Sequence, residues 1–430
     1  MKLFLLVLVL SFVNFVTAAK WVPLNVALAR PSNLQQLPDF VMRGLDDAIN
    51  SLNKFINVRV VNVHDEYLLN RDNILQCSKN KDFFTEFITV EKFVPKYSIS
   101  KHKIDGSEVC TKDPFMLAGA APCMKPNAKL QPIVSRPVCG RLIVCLENPT
   151  WKTFESSYDL FRHEIMHALG FGTIIPDKYN NVTKPETQIW NNNYGHFRPS
   201  QKYEAYYMDF AKKSTEAAKK YFLCDKITGI EAEDSSKIHL NEYIYGNELM
   251  TPVVSNGNNY LTYLSASILE STYLGKTSWY KFNKKAVKEE SRHYWYGRGW
   301  GCSFVQGSCY DYIKDSRTLK RGSTFPFCGE EDLRDFLLYR KPKEICFSNG
   351  DIEIKFNVSC NLMKTLIQPT AQFEPTPMLS QFPRLRHLLD SVGYPLYGSD
   401  SFHRYCPMIK EYLEDQIKDL PETSEIIPCE

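Results

Sequence analysis

Apolar residues at Phe40, Val41, Leu45, Ala48, Ile49, Leu52 and Phe55 fall on one helical stripe, which predicts a helix in LPDFVMRGLDDAINSLNKF. The β-branched run behind it, INVRVVNV, predicts a strand, and a second strand is expected in GRLIVCLENP, stopped by Pro149. In SSYDLFRHEIMHALG, Tyr158, Phe161, Ile165 and Leu169 repeat at helical spacing. Ser156 or Ser157 is the expected cap of that helix and Gly170 its stop. The Asn, Pro and Gly between Asn180 and Gly195 predict a loop, and Gln201 to Phe222 is helical in composition. From residue 291 the periodicity shortens and seven cysteines follow, the mark of a disulfide-stapled C-terminal region. GRGWG (Gly297 to Gly301) lacks the spacing and the following helix of a phosphate loop, and reads as a turn before Cys302.

At 430 residues and 43% hydrophobic the chain is long enough for two or three lobes, each with a packed core. Lys and Arg number 52 against 49 Asp and Glu, a formal charge of +3, so a nucleic-acid partner is not expected. The pairs Lys212-Lys213, Lys219-Lys220 and Lys284-Lys285 read as solvated helix faces. Lys2, an apolar run and the small residues Thr17, Ala18 and Ala19 make residues 1–19 a secretory signal peptide. No later run is long and apolar enough to span a membrane, and the end LPETSEIIPCE lacks a lipid-anchor tail. All 13 cysteines follow the signal segment; in a secreted chain they are expected as structural disulfides, with one left over because the number is odd. No C-x-x-C occurs, against a zinc ribbon or a redox motif, and Asn181 and Asn357 stand in glycosylation sequons.

The chemistry concentrates in RHEIMHALGFGT, Arg162 to Thr173. Residues four apart share a helix face, so His163 and His167 can turn two imidazoles to one ion. Glu164 beside them suits a general base, and zinc on three protein ligands keeps a fourth position open for water. With nine histidines in 430 residues, an H-E-x-x-H arises by chance in about one such chain in a hundred. The plain alternative is a helix with two surface histidines, and a third ligand decides between them. One zincin plan draws that ligand from a Glu on a second helix. The other breaks the first helix at a glycine and brings in a histidine, and Gly170 matches it, because a tight turn there favours a residue tolerating positive φ. Where a short metzincin motif has its third histidine, this chain has Thr173, so a distant residue must complete the site. His64, His102, His196, His239, His293, His387 and His403 compete. His239 is preferred, because Met250 follows it in NELMTP and a methionine turn beneath the metal belongs to the metzincin plan; His196 comes next. On its own, Met250 would read as a core residue.

These residues resemble the leishmanolysin-like (invadolysin-type) metallopeptidases, whose hallmark HExxHALGF is matched by HEIMHALGF at His163 to Phe171. YFLCDKITGIEAEDSSKIHLNEYIYGNELMTP is similar to the segment after the family's insertion, which implies His239 as third ligand and Met250 as the Met-turn. WYGRGWGCSFV and RYCPMIKEY also look like family segments, and the likeness runs from about residue 35 onward. The chain departs at Leu240, where the family commonly has Trp, and in a shortened glycine-rich run before His239. Few residues lie between Ala19 and the first core-like helix, and the first cysteine is Cys77, which speaks against a cysteine-switch propeptide.

The expectation is an α+β fold with a metzincin-like zinc protease core, an insertion before the third ligand and a disulfide-rich C-terminal region. After the signal peptide, residues 20–172 would form the N-terminal catalytic subdomain with the HExxH helix. Residues 173–290 would carry the insertion, third histidine and Met-turn, and 291–430 the cysteine-rich region. The function expected is that of a secreted zinc metalloendopeptidase acting on proteins and peptides. Zn2+ would sit on His163, His167 and His239 and activate a water, with Glu164 as base and Met250 as structural floor. Tyr243, Tyr245 and Tyr260 are near enough in sequence to be oxyanion donors, with nothing to select among them. The rival is a catalytically silent secreted binding or adhesion protein on the same fold.

Overall fold

The stripe over residues 40–55 becomes helix α1 (Asp39–Phe55), which buries Val41, Leu45, Ala48, Ile49 and Leu52. Its partner is α2 (Phe154–Ala168), the helix that carries the HExxH residues. The two backbones approach closely at Gly44, where an added Cβ would stand 3.2 Å from the Cβ of Ser157. This corrects the expected cap. The helix starts at Phe154, so Ser156 and Ser157 lie inside its first turns, and Ser157 is small because α1 packs on it. In this computed structural model the described residues are 21–29, 38–59, 86–92, 110, 116–122, 139–145, 151, 154–172, 187–192, 201–254, 258–271, 273–274, 277–318, 324, 326–328, 343–348, 353–358, 403–404, 406, 408 and 425–427. The signal segment, His64, His102, Thr173, Asn181, His196 and His387 lie outside them.

Behind α2 stands a four-stranded sheet in the order β2 (Val26–Ala29), β4 (Glu86–Lys92), β6 (Cys139–Val144), β5 (Ala118–Pro122). The first three are parallel and β5 closes one edge antiparallel. The expected strand before Pro149 is β6, and Gly140 on it lets α2 settle, since a Cβ there would lie 2.7 Å from that of Ala168. The start of INVRVVNV forms β3 (Ile56–Arg59), paired with β1 (Trp21–Pro23) and β12 (Tyr280–Phe282); the rest of that run lies outside the described residues.

Two expectations fail in the middle of the chain. The expected loop contains β7 (Thr187–Asn192), and the expected helix over 201–222 is a strand, β8 (Gln201–Asp209), followed by α3 (Lys212–Phe222). The Lys, Glu and Ala of that stretch favour helix, but Tyr203, Tyr206 and Tyr207 fit a pleated surface, and cross-strand pairs such as Thr187 with Tyr206 override composition. A third strand, β9 (Ile230–Ala232), completes this sheet. The Lys pairs sit on α3 and on α6 (Lys284–Glu290), mostly exposed, as expected.

The remaining described helices are α4 (Glu242–Tyr245), α5 (Tyr263–Ser271), α7 (Cys302–Val305) and α8 (Cys309–Thr318). GRGWG is a turn, with Gly297, Gly299 and Gly301 at φ 77°, 72° and 83°; a single-turn helix, α7, follows it after all. Short strands β10 (Tyr273–Leu274) and β11 (Thr277–Ser278) pair with each other. The strands β13 (Lys343–Ser348), β14 (Glu353–Val358) and β15 (Glu425–Ile427) form a separate antiparallel sheet. Among the described residues a hydrophobic core takes in side chains from Leu24 to Cys406. Disulfides join Cys110 to Cys145, Cys224 to Cys302 and Cys309 to Cys406, and Cys328 is also bonded. Mixed helix and sheet with disulfides is what the sequence led one to expect. Among the described residues no helix is long and apolar enough to cross a membrane.

Candidate metal centre

α2 is buried over its last two turns, with His163 6%, Glu164 5% and His167 3% exposed although all three are polar. A solvated helix face would not bury them. The helical repeat brings the Nε2 atoms of His163 and His167 to 2.9 Å of each other. His239 arrives on a short hairpin whose outgoing arm is β9. Asn241 N–H donates to Glu231 O (3.2 Å), Ala232 bridges Leu240, and Glu233 N–H donates to His239 O (3.0 Å). The ring of His239 then lies 5.1 Å from that of His163 and 4.9 Å from that of His167. One ligand atom from each histidine lies within 4.8 Å of the others, and among the described residues no other such group occurs. His293 stacks at 6.3 Å on Tyr260, and His403 faces Glu242 at 3.9 Å, so neither belongs to it.

The chemistry of these rings fits a metal ion. His163 Nδ1 is 2.6 Å from Leu249 O and His167 Nδ1 3.0 Å from Phe171 O. A carbonyl only accepts, so each Nδ1 carries the proton and each Nε2 offers a bare lone pair. Two bare lone pairs facing across 2.9 Å repel unless a cation stands near them. Burial also keeps the rings neutral, as metal ligands must be: it drives His163 well below its ordinary range, His167 down to about 4 and His239 to about 3. Three neutral imidazoles are a donor set that zinc accepts readily. Burial works the other way on Glu164, pushing its carboxyl up to about 8 against a backbone N–H of Ala120 on the edge strand β5.

The chain leaves the helix through Gly170 (φ 110°) and Gly172 (φ 70°), so the expected positive-φ turn is present. Gly172 passes so close to the segment before His239 that an added Cβ would come within 2.7 Å of Ile238 Cα. Met250 is fully buried in a turn that touches both histidine segments. Leu249 O accepts from His163 Nδ1, and Met250 O accepts from Leu240 N–H at 3.0 Å.

Two supports of this arrangement escaped the sequence reading. Glu248, fully buried, accepts from Met250 N–H (2.7 Å), Ser265 Oγ (2.7 Å), Thr262 Oγ1 (2.9 Å) and Thr262 N–H (3.2 Å), so it fixes the turn from within. Arg162 pairs with Asp159 and Glu290 at 2.7 Å each and donates to Asn259 O at 2.8 Å, tying α2 to the loop after the turn. An acid two residues before the methionine and a cation just before the motif were the only signals. Of the oxyanion candidates, Tyr243 is buried against Phe304 and Phe327 and donates to Phe304 O (3.4 Å), while Tyr245 packs on Phe222. Tyr260 is half-buried.

Residues 136–336 match the family model described as leishmanolysin. A leishmanolysin-like peptidase of Caenorhabditis elegans is 25% identical over 316 residues, covering 64% of this chain and 43% of its own. One of Drosophila melanogaster is 24% identical over 341 residues, covering 69% of this chain and 44% of its own. The chain thus spans less than half the length of these curated relatives.

Proposed function

The chain belongs to the leishmanolysin family, and from that premise we propose that it is a secreted zinc metalloendopeptidase of metzincin type that hydrolyses peptide bonds in proteins. The observation that carries the reading is the meeting of buried His163 and His167 with half-buried His239, with buried Glu164 beside them. These histidines would hold the zinc, which when bound supplies a Lewis acid for the scissile carbonyl and for water. Leu249 O and Phe171 O orient His163 and His167 by fixing their tautomers. Glu164, shielded from bulk solvent, would be returned to its carboxylate form by a dication bound beside it; as carboxylate it takes a proton from the attacking water and passes it to the leaving amine as the C–N bond breaks. The glycine turn and the Met250 turn keep the two histidine segments at a fixed separation. Secretion rests on the signal-like residues 1–19 together with the disulfides.

The test compares zinc content and casein cleavage of the secreted wild-type protein with Glu164→Ala. Zinc in both, with cleavage by wild type alone, is the expected result. Zinc in both with cleavage by neither would move the chain to a silent binding protein. Zinc in neither would end the reading.

A further inference from the structure

The RYCPM segment, some 160 residues after the third histidine, plays no part in the account so far. In the fold its Arg404 lies against the hairpin that carries His239. Arg404 is 5% exposed and forms an ion pair with Glu231, which is itself 3% exposed. Its guanidinium is sandwiched between two rings, 4.2 Å above Tyr203 and 4.4 Å from Tyr243. Tyr203 closes the group by donating its hydroxyl to Glu231 at 3.0 Å, and it accepts from Asn241 Nδ2 at 3.3 Å. Arg404 also reaches Gly307 O at 3.4 Å, and two residues on, Cys406 is bonded to Cys309 at the start of α8.

This cluster touches both arms of the hairpin. Glu231 is on the outgoing arm, Asn241 and Tyr243 follow His239 on the return, and Tyr203 lies on the neighbouring strand β8. We propose that Arg404 is a positioning residue for His239: by pairing with Glu231 between Tyr203 and Tyr243, it holds the hairpin register that aims the third imidazole at the metal. An arginine suits the task because one planar cation serves a carboxylate in its plane and two rings on its faces. Removing it leaves the Glu231 carboxylate buried beside two rings, so the arm bearing it must shift. The inference rests on His239 being a zinc ligand.

The test measures zinc affinity by chelator competition on the full-length secreted protein, well below its melting temperature, for wild type, Arg404→Met, Arg404→Lys and His239→Ala. Orienting partners of metal ligands are worth roughly 10- to 100-fold in metal affinity. Arg404→Met should fall by that factor, and Arg404→Lys, which keeps the charge but not the planar stack, by less. The Co2+ protein's visible spectrum should also change in Arg404→Met, a response that lower global stability alone would not produce. Should Arg404→Met not fold, the pair Arg404→Met with Glu231→Gln removes the orphan charge and takes its place in the same assay. Wild-type zinc affinity and spectrum in the folded Arg404 variant, with zinc lost from His239→Ala, would overturn the positioning role alone. Zinc held normally by His239→Ala would overturn the site itself.

Discussion

α2 and the hairpin over residues 231–241 supply the same kind of group to the same place by opposite means. On α2 the 3.6-residue repeat alone brings His163 and His167 together, and tertiary contacts only fix their tautomers. On the hairpin nothing local decides where His239 goes. Its placement depends on Glu231 and Arg404, on the close pass of Gly172 and on the turn that Glu248 braces. Two imidazoles are thus placed by helix geometry and the third by the packing of segments that are far apart in sequence. Damage at a distance should therefore reach the site through His239 first.

The largest effect separates the two means most sharply. His239→Ala should lose zinc affinity by more than the roughly 100-fold that orienting residues command, and casein cleavage should disappear with it. Isothermal titration with zinc checks this; unchanged affinity would make the hairpin irrelevant to the ion.

On the helix side, Glu164 sets a pH dependence in the metal-free protein. Burial raises its carboxyl from 4.5 to about 8, so between those values the native state holds a proton that the unfolded chain has released. Stability from this group is therefore lost as pH rises across that window. Relative to wild type, metal-free Glu164→Gln should gain stability from pH 5 to pH 8, by up to about 4 kcal/mol. Urea unfolding at the two pH values reads it, and a difference independent of pH would contradict it.

Gly172→Ala tests the joint between the two segments. A side chain at φ 70° is strained, and its Cβ would press on the backbone of Ile238. The expected cost is about 3 kcal/mol, accompanied by weaker zinc binding. Unfolding and zinc titration of the same sample give both numbers, and a stability loss with wild-type zinc affinity would break the proposed coupling. The smallest effect is expected from Glu248→Gln, whose amide keeps one acceptor for four donors, at about 1–3 kcal/mol. Its signature is a lower melting temperature together with faster zinc loss, whereas stability within 0.5 kcal/mol of wild type, roughly the range of neutral surface changes, would remove Glu248 from the account.

The legibility of the sequence follows the same division. α1, α2 and β6 could be read from periodicity because each buries one regular face, and Gly170 could be placed because a positive φ restricts residue type. The start of α2 was misplaced because Ser157 serves packing against Gly44 rather than capping. β8 was misread because its Tyr-rich face gains from cross-strand partners that no local window contains. That His163 and His167 share one face was legible from spacing, and that His239 comes to meet them from its context and a family likeness. Glu248, Arg162 and Arg404 were not, since each acts through partners beyond any local window, at separations of 17, 128 and 173 residues respectively.

X-ray absorption at the zinc edge of the secreted protein tests the central claim most directly. The account predicts one zinc per chain with three imidazole nitrogens at about 2.0–2.1 Å, and the loss of one of them in His239→Ala. Sulfur at about 2.3 Å, or no bound zinc at all, would contradict it.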